Sequence, residues 1–209
     1  MEIFTSYILV AIVVVMVSIL VMFRRPIFNP TMNKTSVQIK TCIVLGSGGH
    51  TAEMIKIAQS LNKMVYSPRI YIVSQKDELS REKLDSIEST EDVLVHSIPR
   101  SREVAQSYFT SIATTAFSFL HCFPIVFAEK PKLLLLNGPG TCVPLAISVW
   151  ILSVLKISKC KIIFVESLCR VKSLSLTGKI LMYIADEVLV QWPELATKYS
   201  KAKYIGRFL

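Results

Sequence analysis

No two of the five cysteines form a C-x-x-C pair, and the count is odd. Cys42, Cys122, Cys142, Cys160 and Cys169 therefore read as buried thiols of a reducing compartment, which argues against a disulfide frame or a zinc site. The three histidines, His50, His96 and His121, are too scattered for a metal motif, so no metal is expected. Charge is lopsided at +9, with few acidic residues, a balance that suits nucleic acid, anionic lipid or phosphorylated substrates. No Arg/Lys run with interleaved aromatics is present, and no nucleic-acid partner is expected.

Charge is missing altogether between Ile3 and Phe23, a stretch of mainly Ile, Val, Leu, Met and Phe. It is long enough to span a bilayer as a helix. A cleaved signal peptide would need basic residues before this run and a small-residue site after it. Instead Glu2 precedes, Arg24 and Arg25 follow, and no A-x-A pattern occurs. Residues 1–25 thus read as a single-pass anchor, and the positive-inside rule puts the chain after Arg25 in the cytosol. Residues 26–36, PIFNPTMNKTS, carry two prolines and read as a linker. Asn33-Lys34-Thr35 is formally a glycosylation sequon, which a cytosolic chain could not use.

From Val37 onward strands and helices alternate. Strands are expected at Val37–Leu45, Arg69–Val73, Val93–Ser97, Lys132–Leu136, Lys161–Val165 and Glu187–Gln191, with helical patterns between them. That alternation predicts an α/β, Rossmann-like fold with a doubly wound parallel sheet over residues 37–209. Ala202–Leu209 is too short for another unit and reads as an edge strand or a docking tail. Two uncharged stretches imitate membrane spans. Leu133–Leu155 is interrupted by Asn137-Gly138-Pro139-Gly140-Thr141 and reads as strand, turn and buried helix. Val104–Ala128 reads as a helix whose aromatic edge, Tyr108, Phe109, Phe117 and Phe119, dips into a membrane surface; a core helix is the competing reading.

The stretch at 42–61, CIVLGSGGHTAEMIKIAQSL, is a buried strand, a glycine turn and a helix in succession. This order makes an anion cradle, because glycines admit close approach and the helix start presents free N–H groups. Gly46, Ser47, Gly48 and Gly49 would form the cradle, Thr51 would cap the helix, and His50 would stand at the lip. The dinucleotide fingerprint is absent: the spacing is G-x-G-G-H-T, and the second strand ends in Ser74-Gln75-Lys76 without an acidic residue. No Gly-Lys-Ser/Thr follows either, which excludes a P-loop. No cofactor is expected.

Ligands of an open parallel sheet bind beyond the carboxyl ends of its strands. There the sequence places the glycine loop with His50, then Arg100 and Arg102, then Asn137, Gly138, Pro139, Gly140 and Thr141, then Glu166. Each has a plainer reading: solvated loop charges, a turn, a helix cap. A histidine beside an anion cradle is also placed to take a proton from a nucleophilic hydroxyl.

The segments GSGGHT, IPRSREV, NGPGT and VESLCRV, taken together and with the N-terminal anchor, resemble the membrane-anchoring subunit of the eukaryotic dolichyl-diphosphate N-acetylglucosamine transferase. More distantly the body is similar to the acceptor-binding N-terminal half of MurG-type glycosyltransferases with the two-domain GT-B fold, through Gly48-Gly49-His50 and Glu166. The resemblance implies a subunit that is inactive alone. It implies that the chain binds GlcNAc-diphosphate-dolichol on the cytosolic face of the endoplasmic reticulum membrane and recruits a soluble catalytic subunit carrying UDP-GlcNAc. The GSGGHT loop with Arg100 or Arg102 would hold the acceptor diphosphate, and His50 or Glu166 would deprotonate the 4-hydroxyl of the acceptor sugar for an inverting transfer. Tyr204, Ile205, Gly206, Arg207, Phe208 and Leu209 would contact the partner. Two readings compete: a membrane scaffold with an inert glycine loop and, less well supported, a nucleotide-dependent oxidoreductase.

Overall fold

The computed structural model describes residues 38–88, 93–102, 106–138 and 140–207. The expected anchor, the linker and Asn33 lie outside them. Strands β1 (Thr41–Val44), β2 (Arg69–Ser74), β3 (Val93–Ile98), β4 (Leu133–Asn137), β5 (Lys161–Val165), β6 (Glu187–Val190) and β7 (Ala202–Tyr204) form a parallel sheet ordered β3-β2-β1-β4-β5-β6-β7. Helices α1 (Gly49–Ser60), α2 (Glu78–Asp85), α3 (Tyr108–Glu129), α4 (Cys142–Val154), α5 (Leu176–Ile184) and α6 (Pro193–Lys198) connect them. The fold is a Rossmann-like doubly wound sheet. Strand order reverses between β1 and β4, which pair from Thr41↔Leu133 to Ile43↔Leu135. The loops leaving these strands diverge there and open a crevice.

Alternation along the strands divides the core into two layers. Cys42, Val44, Ile70, Ile72, Leu134, Leu136, Ile162 and Phe164 face α3 to α6. Ile43, Leu45, Tyr71, Val73, Leu133 and Leu135 face Met54, Ile55 and Ala58 of α1 and Leu84 of α2. Each such side chain contributes about 1.5–3 kcal/mol through burial. The first strand is shorter than its apolar run suggests: 38–40 lie outside it, although Ile39 N–H still bonds the Val65 carbonyl at 2.7 Å.

At the lower end of β2 a buried ion pair closes the layer of α1 and α2. Glu88 accepts from Arg69 at 2.7 Å, Tyr71 at 2.8 Å and Lys63 at 2.8 Å. Burial works against the Glu88 carboxylate, but these donors outweigh it and hold its pKa below 4.5.

Helix α3 is long and apolar enough to cross a membrane by length and composition over Thr110–Glu129. Its orientation inverts the usual pattern. Ser111, Ser118, Cys122 and Val126 face the body, while Ile112, Phe117, Leu120 and Phe127 are exposed. Phe119 is half-buried. The inward hydroxyls have work to do: Thr114 donates to the Ser101 carbonyl at 2.7 Å and Ser118 to the Pro99 carbonyl at 3.0 Å. They pin the loop that carries Arg100 and Arg102. The stretch 133–155 is indeed strand, turn and helix, with α4 largely buried.

Candidate functional site

A cleft of about 810 Å³ opens at the carboxyl edge of the sheet, over the β1/β4 switch point. Gly46, Ser47 and His50 line it from the first loop, Arg100 and Arg102 from the third, and Gly138, Gly140 and Thr141 from the fourth. Glu166, Arg170 and the start of α5 with Lys179 complete the wall. Most of the residues expected at separate strand ends are thus brought together, whereas Gly48, Gly49 and Asn137 do not line the cleft. Pro139, Phe208 and Leu209 lie outside the described residues.

Helices α1, α4 and α5 all begin at this cleft. Neither the Gly48 cap of α1 nor the Thr141 cap of α4 makes a side-chain bond to its helix. The first-turn amides of α1 are donors that an anion can use, whereas in α4 Val143 N–H bonds the Gly140 carbonyl at 3.0 Å and Pro144 has no N–H. The helix dipoles add to the field of the surrounding cations. Arg100 Nε reaches Ser74 Oγ at 3.3 Å, and Arg102 bonds the Gln106 carbonyl through Nε at 3.1 Å and Nη2 at 2.8 Å. Such anchored guanidiniums meet a phosphate at little entropic cost.

Thr51 has a different task from the one its position suggests. The cap is Gly48, with φ 66°, and Thr51 lies inside the first turn with 1% exposure. Its hydroxyl bonds the Gly46 carbonyl and meets Ser80 Oγ at 2.5 Å, which in turn donates to Asp77 at 2.7 Å. Thr51 braces the loop from behind and is no part of the cleft wall.

Glu166 is buried at 1% exposure and its carboxylate is fully engaged. It accepts from Ser175 N–H at 2.8 Å, Ser175 Oγ at 3.0 Å and Ser167 N–H at 3.2 Å. Ser175 caps α5 through a 2.9 Å bond from Gly178 N–H, so Glu166 fixes the start of that helix. Burial raises its pKa against these hydrogen bonds and the charge of Arg170.

His50 is half-buried, and its Nδ1 lies 2.9 Å from Asn137 Oδ1. Asn137, wholly buried, donates through Nδ2 to Glu53 Oε2 at 2.8 Å. The other Glu53 oxygen accepts from Ser167 Oγ at 2.8 Å and Leu168 N–H at 3.3 Å. Gly138 makes room for this arrangement. Its φ is 103°, and a Cβ there would fall 2.5 Å from His50 Cγ. Sequence reasoning missed Glu53. The available signal was its spacing, three residues after His50 in a helix, which places both on one face.

The C-terminal segment continues along the sheet edge. Ile205 N–H bonds the Val190 carbonyl at 3.1 Å, Gly206 has φ 82°, and the Arg207 guanidinium lies 4.1 Å from the centre of the Trp192 ring. Trp192 Nε1–H donates to the Leu168 carbonyl at 2.7 Å, linking this segment to the loop after β5. Tyr204 and Ile205 are exposed. No group of His, Cys, Asp and Glu that could hold a metal occurs among the described residues.

Residues 41–208 match the family described as oligosaccharide biosynthesis protein Alg14 like. The rat UDP-N-acetylglucosamine transferase subunit ALG14 is 48% identical over 80% of this chain and 82% of its own length. The mouse subunit of the same name is 42% identical over 91% and 94%, and that of Schizosaccharomyces pombe 38% identical over 96% and 98%. Among solved structures, MurG of Acinetobacter baumannii superposes with a TM-score of 0.56 at 12% identity, over 75% of this chain and 42% of MurG. Arabidopsis thaliana UGT89C1, complexed with quercetin, gives 0.53 at 11% over 82% and 51%. The chain thus spans about half the length of these fold neighbours.

Proposed function

The chain belongs to the Alg14 family, and from that premise we propose that it is the acceptor-binding, membrane-bound subunit of a UDP-N-acetylglucosamine transferase. Its acceptor is GlcNAc-diphosphate-dolichol at the cytosolic face of the endoplasmic reticulum, and a soluble catalytic partner brings UDP-GlcNAc. The observation that carries this reading is the convergence of the uncapped α1 start with Arg100, Arg102, Arg170 and Lys179 on one cleft. A diphosphate fits that chemistry: its oxygens take charge-assisted bonds from guanidiniums and amides.

The apolar outer face of α3 supports a membrane location for this cleft, because the same helix holds the Arg100 loop through its inner hydroxyls. With the residue 1–25 anchor, it would keep the site within reach of a lipid that stays in the bilayer. The C-terminal segment from Tyr204, stacked through Arg207 on Trp192, is assigned to partner docking. In transfer, His50 takes the proton of the acceptor 4-hydroxyl as that oxygen attacks the anomeric carbon of the donor sugar and UDP leaves with inversion. Glu166, held by its bonds to the α5 cap, positions that wall of the cleft.

The test uses the full chain in vesicles with its soluble partner and follows labelled GlcNAc passing from UDP-GlcNAc to a GlcNAc-diphosphate lipid. Arg100→Ala removes a charged hydrogen-bond donor, a loss of about 1.5–3 kcal/mol, so the acceptor KM should rise by about ten- to a hundred-fold. His50→Gln should lower kcat instead. Normal kinetics in both variants would return the chain to the scaffold reading.

A further inference from the structure

We propose that Glu53, acting through Asn137, sets the tautomer of His50 and so makes that ring able to accept a proton. The inference rests on the base role given to His50 above. Polarity is fixed from the far end of this chain of bonds. Leu168 N–H can only donate, so an acceptor must face it, and Glu53 Oε1 does, at 3.3 Å. The Glu53 carboxylate is acceptor-only, so Asn137 must turn its Nδ2 toward Glu53, at 2.8 Å. The Asn137 oxygen is then left facing His50 Nδ1, at 2.9 Å. That nitrogen must carry the hydrogen, and Nε2 carries the lone pair. After proton transfer the imidazolium keeps the same bond through Nδ1–H. One backbone donor, Leu168 N–H of the β5 loop, thus sets the polarity of a ring on α1 through the side chains of Glu53 and Asn137.

The polarity can be reversed by one atom. In Glu53→Gln, Leu168 still demands an oxygen, so the new amide turns its nitrogen toward Asn137. Asn137 must answer with Oδ1, which rotates its Nδ2 toward His50 Nδ1. That nitrogen must now accept, the hydrogen moves to Nε2, and the ring can no longer take a proton from substrate. A second substitution undoes the reversal. In Glu53→Gln with Asn137→Asp, the introduced carboxylate accepts from the introduced amide on one side and from His50 Nδ1–H on the other.

Full-length chain with its partner is assayed for kcat and acceptor KM. A base held in the wrong tautomer loses on the order of 10²–10⁴ in kcat, and Glu53→Gln should do so with acceptor KM little changed. The double variant should recover to within about ten-fold of the original chain, a residual of at most about 1.4 kcal/mol. Imidazole ¹⁵N shifts of the neutral ring report the tautomer independently. With only three histidines in the chain, His96→Gln and His121→Gln assign the His50 signals. The proposal predicts Nδ1–H in the original chain and the double variant, and Nε2–H in Glu53→Gln. The same tautomer in the original and in Glu53→Gln would overturn it. So would a double variant as slow as the single one. Reversal and restoration of the tautomer alongside a fully active His50→Gln would uphold the relay while removing the base role.

Discussion

Replacing Gly138 with alanine puts one carbon where His50 stands, and the consequences can be worked from geometry. The backbone has φ 103°, a conformation L residues rarely adopt, and forcing a side chain there costs about 1–2 kcal/mol. The added Cβ would lie 2.5 Å from His50 Cγ, 2.8 Å from Nδ1 and 2.9 Å from its Cβ. Carbon atoms in contact rest about 3.5–4.0 Å apart, so the ring must retreat by roughly 1 Å. That retreat strains the 2.9 Å bond to Asn137. A 1 Å displacement of a reacting group costs on the order of 10²-fold, or about 2.7 kcal/mol of transition-state stabilisation. Initial rates of GlcNAc transfer by the full chain and its partner give kcat, and thermal melting gives the fold. The expected variant is folded, melts about 2–8 °C lower and turns over about a hundred times more slowly. A folded Gly138→Ala chain with unchanged kcat would refute both the placement of His50 and its use.

Glu88→Gln breaks a pair whose side chains are 3% and 5% exposed, and losing one partner of a buried pair costs about 3–5 kcal/mol. Because the folded carboxylate sits below 4.5, the unfolded chain binds more protons, so the contribution is complete above about pH 4.5 and lost as pH falls through the folded value. Urea midpoints should separate the two chains at neutral pH and converge in acid; a gap independent of pH would count against this. Arg207→Ala removes the cation resting on Trp192, loosening the C-terminal segment by roughly 1 kcal/mol, so capture of the partner should weaken by up to about five-fold while Tm falls by no more than about 4 °C. Equal capture by both chains would remove this contact from the docking surface.

Much of the fold could be read from composition because a parallel strand buried on both faces must be apolar throughout. LLLL at 133–136 and IYIV at 70–73 admit few other readings, and the turns that follow them collect at one edge once the strands are parallel. Composition could not say which side of α3 faces inward. Its hydroxyl side does, because the loop at 99–101 needs donors there. Pairing across the fold was hidden as well: His50 and Asn137 are 87 positions apart. Without that contact Glu53 is one more helix carboxylate. Glu166 stood out as the acidic residue at a strand end, but its burial and its bonds to the α5 cap are properties of packing.

At the heart of the proposed function is a division of labour, with the lipid diphosphate on this chain and the nucleotide sugar on its partner. Photoreactive analogues of both ligands, applied to the assembled complex in vesicles, separate the two roles in one experiment. The GlcNAc-diphosphate lipid should label this chain around the loops at 46–50 and 100–102, and UDP-GlcNAc should label the partner. Labelling of the cleft wall here by UDP-GlcNAc, with the lipid recovered only on the partner, would refute that division.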